Sequence, residues 1–154
     1  MNLLLRLTTV LSLLGTTMFA APALADYDPP EAAAAAIAAA KVQAKKTQRS
    51  VLLVFGADWC KDCRVLETEM AKPELAAKLA TRYDIVKVNV GRFDRNTDIA
   101  ERYGVPLKKG IPAVAVISPD DKVLAATAAG ELASARSMSS EGISGFLLGL
   151  PQAK

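Results

Sequence analysis

VLLVFGADWCKDC, residues 51–63, joins an unbroken apolar run to both cysteines of the chain, which stand three positions apart. Val51–Ala57 is apolar and rich in β-branched side chains, the pattern of a strand covered on both faces of a sheet. From Cys60 to about Ala71 the period changes: Val65, Leu66 and Met70 form one apolar stripe, which predicts a helix. Cys60 then sits in the first turn of a helix that follows a strand directly. Unsatisfied backbone N–H groups and the positive end of the helix dipole favour a thiolate there, and the thiolate is the form that attacks disulfides. Cys63, one turn on and on the same face, is placed to reach it. The predicted chemistry is a dithiol–disulfide cycle in which Cys60 attacks a partner's disulfide and Cys63 resolves the mixed disulfide. A purely structural bridge is the weaker reading, because so short a loop constrains the unfolded chain little.

The chain has no histidine, which excludes histidine-based triads and the usual catalytic zinc sites. Two cysteines cannot complete a Cys₄ site within one chain, and Arg64 follows Cys63 where covalent haem attachment needs histidine. A zinc ion or iron–sulfur cluster shared between two subunits stays open. The expected redox group is the Cys60–Cys63 pair itself, with no bound cofactor or metal. The formal net charge of +3 is too small to argue for nucleic acid or a strongly anionic membrane as a partner.

Residues 1–25 read as an export signal. Arg6 is the sole charge before Asp26, Leu7–Phe19 is mostly apolar, and Ala23-Leu24-Ala25 offers small residues at a cleavage site. An uncleaved anchor is the alternative, but Gly15 and Pro22 interrupt the segment and no basic cluster follows it. Cleavage after Ala25 would leave Asp26–Lys154 in an exported, periplasmic location, without stable membrane insertion.

Residues 26–50 carry an alanine-rich helix. It is expected to start at Asp28-Pro29-Pro30-Glu31 under an Asp28 cap, to run to about Gln48, and to serve in part as a spacer. Residues 51–154 form the main domain. Pro73 breaks the helix that follows the cysteines, and Glu74–Arg82 resumes it with Leu75 and Leu79 inward. Ile85–Val90 is a second strand. Asn96-Thr97 caps a short helix ending at Gly104. Pro112–Ser118 and Val123–Thr127 make a hairpin, and Ser139 or Ser140 caps a last helix to about Leu150. Glu131–Met138 carries no clear pattern. The order predicts an α/β fold: one mixed sheet of about four strands, helices on both faces, and a parallel crossover in the first strand–helix–strand unit.

Over about Val51–Leu150 the chain resembles the thioredoxin superfamily. Phe55-Gly56-Ala57-Asp58-Trp59-Cys60-Lys61-Asp62-Cys63 is similar to its strand and active-site turn, and Gly110-Ile111-Pro112 to its Gly-Ile-Pro. The resemblance implies a thioredoxin-like fold, a cis Pro112 beside the cysteines, an Ile111 backbone offered to a substrate chain, and Trp59 flanking the docking surface. An ordinary edge-strand proline is the alternative for Pro112. Lys61 and Arg64 add positive charge near the thiolate, while Asp58 and Asp62 oppose them. The superfamily's buried aspartate, six residues before the first cysteine, is Val54 here. Its accompanying lysine is Lys87, which without a carboxylate partner is expected to snorkel to solvent. Asp62, Glu67 or water could then take the Cys63 proton. Extra residues around Arg92–Arg95 and Pro106–Lys109 lengthen loops at the active-site edge. The expected function is an exported thiol–disulfide oxidoreductase that reduces disulfides in protein partners and is re-reduced by a thiol electron donor. A disulfide oxidase or isomerase, a non-catalytic binding module and a metallochaperone are the alternatives.

Overall fold

Every residue of Ser50–Gly56 (β1) is buried, as its apolar run requires. The computed structural model describes residues 27–153; the export signal expected at residues 1–25 lies outside the described residues. Tyr83–Asn89 (β2) pairs parallel to β1 on one side, and Ala113–Ile117 (β3) pairs antiparallel on the other. Val123–Ala126 (β4) completes the hairpin with β3, so the strand order is β2-β1-β3-β4. This is the mixed four-stranded sheet that the alternation of apolar segments predicts. The helices are Ala33–Thr47 (α1), Lys61–Met70 (α2), Pro73–Ala80 (α3), Thr97–Arg102 (α4) and Ser140–Gly149 (α5).

Side chains of a strand alternate between faces, and β1 therefore feeds two cores. Val51, Leu53 and Phe55 pack with Ile37 of α1, Val88 of β2 and Tyr103 after α4. Leu52 and Val54 pack with Leu66 of α2, Leu75 and Leu79 of α3, and Ile143 and Leu147 of α5. Burial of each large side chain contributes roughly 1.5–3 kcal/mol, so the sheet's central strand is held from both sides.

Three local expectations are corrected. No side chain caps the first helix: Pro30–Ala32 forms a 3-10 turn and α1 begins at Ala33. Two successive prolines remove N–H groups that an Asp28 carboxylate would have bound. Nor is α1 a spacer, since Ala33, Ile37 and Ala44 are buried against the sheet. Asn96 precedes α4 but does not cap it. Its backbone is left-handed (φ 50°), and its Nδ2 donates instead to Asn89 O at 2.7 Å and Pro30 O at 3.0 Å. The patternless Glu131–Met138 segment buries Leu132 and Ala135 completely and holds a 3-10 turn at Ala135–Ser137. By contrast, Ser139 caps α5 through Gly142 N–H at 3.0 Å.

Candidate active site

Cys60 lies just outside α2, at its N-cap, with an extended backbone (φ −79°, ψ 111°). Its Sγ accepts the Cys63 N–H at 3.1 Å, the position in which a capping oxygen would stand. The two sulfurs form a disulfide. In the dithiol the same amide and the helix dipole would stabilise negative charge on Cys60. Cys63 is wholly buried while Cys60 keeps slight exposure, so the outer sulfur is the one a partner can reach.

The second half of the site arrives through sheet register. Phe55 of β1 faces Ala113 of β3, which brings the residues just before Ala113 to the end of β1 from which the cysteine loop departs. The Ile111–Pro112 peptide is cis, and the Ile111 carbonyl oxygen lies 3.6 Å from Cys60 Sγ. Trp59 is 46% exposed. Its Nε1 donates to Gly91 O at 2.7 Å, its ring meets Phe93 edge-on at 5.8 Å, and the Arg92 guanidinium sits 5.7 Å from it. The extra loop after β2 thus holds the tryptophan beside the cysteines. Trp59, Cys60, Phe93, Gly110, Ile111 and Arg136 surround a hollow over the outer sulfur. A larger apolar groove of about 860 Å³ adjoins it through Phe93 and Gly110 and is floored by Val105, Pro106 and Leu107.

The charged residues around the cysteines are mostly braces. Asp62 accepts from Arg136 N–H at 2.9 Å and Arg136 Nε at 3.2 Å, tying α2 to the segment before α5. Arg64 Nε donates to the Asp58 carbonyl at 2.8 Å, and Asp58 Oδ1 accepts Tyr27 N–H at 2.9 Å. Lys61 is exposed. Lys87 does not snorkel free: its Nζ lies 3.2 Å from Glu67 Oε1, with the lysine side chain 27% and the glutamate 13% exposed. Val54 stands opposite Lys87 in register and offers no carboxylate, so α2 supplies one from across the helix–sheet interface.

Tyr27, Phe93 and Arg136 belong to the site but carry no motif in the sequence. Phe93 falls in a loop whose length was its only signal, Arg136 in the patternless segment, and Tyr27 beside the expected cleavage position after Ala25. Among the described residues no three Cys, Asp or Glu side chains converge as a metal site, and no helix is long and apolar enough to cross a membrane.

A family model described as thioredoxin-like matches residues 32–119. Among solved structures, a disulphide isomerase from Xylella fastidiosa Temecula1 is 43% identical, with 79% of this chain and 92% of that one covered and a TM-score of 0.75. A thioredoxin from Thermus thermophilus is 21% identical over 79% of each chain, with a TM-score of 0.49. The oxidised C-terminal domain of DsbD from Neisseria meningitidis is 24% identical over 67% of this chain and 85% of its own, with a TM-score of 0.47. No curated protein matches the chain. With the family model spanning α1 to the end of β3 and the Cys60–Cys63 disulfide at the junction of β1 and α2, the chain belongs to the thioredoxin-like family and is a thiol–disulfide oxidoreductase.

Proposed function

We propose that the protein is exported to the periplasm and reduces disulfides in protein partners, a thiol electron donor then restoring its own dithiol. The observation that carries this is the placement of Cys60 Sγ, 3.6 Å from the Ile111 carbonyl, in a surface hollow flanked by Trp59 and Phe93. A partner segment lying along Gly110-Ile111 would present a disulfide to Cys60, with apolar side chains entering the adjoining groove. Cys60 thiolate attacks one partner sulfur and the other leaves as a thiol. Cys63 then attacks Cys60, closing the Cys60–Cys63 bond and releasing the first sulfur, so two electrons pass to the partner. Export is supported by the charge and small-residue pattern of residues 1–25.

Insulin reduction tests the chemistry. Cys60→Ser should abolish turnover and Cys63→Ser should accumulate mixed disulfides; full activity in Cys60→Ser would end the reading. A reduction potential well below that of the glutathione couple is expected for a reductase.

Isomerisation is the second reading, supported by the name of the 43% identical structure. Isomerisation reshuffles bonds without net electron transfer. Recovery of a mispaired disulfide protein by catalytic amounts of the dithiol form, with no added reductant, would favour it over reduction.

A further inference from the structure

Tyr27 precedes the stretch matched by the family model, residues 32–119, yet its side chain ends behind Cys63. Its N–H is fixed by Asp58 Oδ1 at 2.9 Å, its ring lies 5.4 Å from Lys87 Nζ, and the residue is 6% exposed. A Cβ on Gly56 would overlap Tyr27 Oη and lie 3.1 Å from Cys63 Sγ, so the hydroxyl and the inner sulfur line the same small space. Tyr27 Oη is buried and makes no well-formed hydrogen bond, although the Glu67 carboxylate acts on it and is itself ion-paired through Oε1 to Lys87 at 3.2 Å. A buried polar atom left unpartnered costs about 1–3 kcal/mol. Such a hydroxyl behind a redox sulfur suits a state other than the disulfide, in which a thiol or thiolate at Cys63 supplies the missing partner.

We propose that Tyr27 is the proton conduit between Cys63 and Glu67 during resolution of the mixed disulfide. The proposal rests on the disulfide-reducing reading above. While Cys60 is bonded to the partner, the Cys63 S–H bond breaks and its proton moves to Tyr27 Oη, as the tyrosine's own proton passes to the Glu67 carboxylate. The electron pair left on Cys63 Sγ forms the bond to Cys60. The Cys60–partner bond breaks, and the partner sulfur leaves as a thiolate that takes a proton from solvent. Tyr27 is neutral before and after, in keeping with the burial, followed by the Glu67 charge, that pushes its phenol well above its ordinary value. The groups facing this path are Cys63 and Glu67 from α2, Lys87 from β2, and Asp58 from the loop after β1. Lys87 holds the carboxylate in place.

The test is single-turnover reaction of the reduced protein with a disulfide-bonded model peptide, followed across pH in wild type, Tyr27→Phe, Glu67→Gln and the double variant. Tyr27→Phe keeps the buried ring and removes only the hydroxyl. Attack by Cys60 should stay within about twofold of wild type, while resolution at neutral pH falls about 100-fold, the size of a lost proton-transfer group. The mixed disulfide should accumulate, the double variant should be no slower than either single one, and the deficit should close as rising pH ionises Cys63 unaided. Wild-type resolution in Tyr27→Phe, or slowing by the same factor at every pH, would overturn the proposal while leaving the reductase intact. Failure of the wild type and of Cys63→Ser to form any mixed disulfide would instead overturn the underlying reading.

Discussion

Gly56 closes β1 for want of room rather than for backbone freedom. A Cβ there would overlap Tyr27 Oη and crowd Cys63 Sγ at 3.1 Å. Gly56→Ala is therefore expected to lower stability by about 1–3 kcal/mol, the usual range for overpacking a filled core. The check is a urea titration: a lower midpoint at unchanged slope. The loss should shrink in a Tyr27→Phe background, because the overlapping oxygen is gone and neighbouring sites couple. An unshifted midpoint would contradict this account of the glycine. At the same scale, Cys60 and Cys63 were legible in the sequence because they stand three apart where a strand pattern gives way to a helix pattern, and Ile111–Pro112 because Gly110-Ile111-Pro112 resembles a family motif. The Lys87–Glu67 pair was not. Its members sit on a strand and a helix separated by α3, and only the packing of α2 on the sheet brings them to 3.2 Å.

Between β3 and β4 a turn residue does the work of a clamp. Asp121 adopts a left-handed backbone (φ 70°) and aims its carboxylate at two helices. Lys41 Nζ of α1 lies 3.0 Å away, Tyr103 Oη donates at 2.9 Å, and Arg102 of α4 completes the cluster. Burial alone would raise this carboxyl, but hydrogen bonds from Lys41 and Tyr103 and the charges of Lys41 and Arg102 outweigh it and hold it below its usual value. A lowered folded-state pKa means that the stabilisation is present above the ordinary aspartate range and is lost as pH falls through the lowered value. Tyr103 titrates in the opposite sense. Burial first, then Asp121, pushes it from 10.0 up to about 12, so its contribution is intact below pH 10 and lost as pH rises through about 12. Asp121→Asn keeps a residue that tolerates the turn and removes the charge. It should cost about 1 kcal/mol at neutral pH, since the ion pairs are partly solvated, and should shrink the alkaline loss, which still begins near pH 10 but ends at a lower pH. Urea midpoints from acid to alkaline pH measure both; an unchanged alkaline arm would show that Asp121 does not hold the tyrosine. The hairpin itself was legible from Pro119-Asp120-Asp121-Lys122. Its clamp was not, because turn chemistry specifies where the chain reverses and not which distant helices its side chains meet.

Across the whole molecule, the two ends of the described chain brace the two ends of β1. Tyr27 fills the space over Gly56, and at the other end Ser50 Oγ accepts Ala153 N–H at 2.7 Å. Tyr83 Oη, beside Ser50 in register, donates to Leu150 O at 2.8 Å. The alternation of apolar strands and helices made the sheet legible, but the alanine-rich stretch before it reads as spacer and core alike, because alanine signals helix without signalling burial. Packing decides the matter. α1 covers Val51, Leu53 and Phe55 through Ile37 and Ala44, and uncovering that face would return three fully buried side chains to water at roughly 1.5–3 kcal/mol each, comparable to the whole stability of a small domain. A chain starting at Ser50 is therefore expected to lose its cooperative thermal transition. Removal of residues 152–154 breaks chiefly the Ser50 hydrogen bond and should cost only about 1 kcal/mol. Thermal melts followed by circular dichroism separate the cases. If the chain from Ser50 melted cooperatively near the full-length midpoint, the core under α1 would be dispensable and the folding unit would begin at β1.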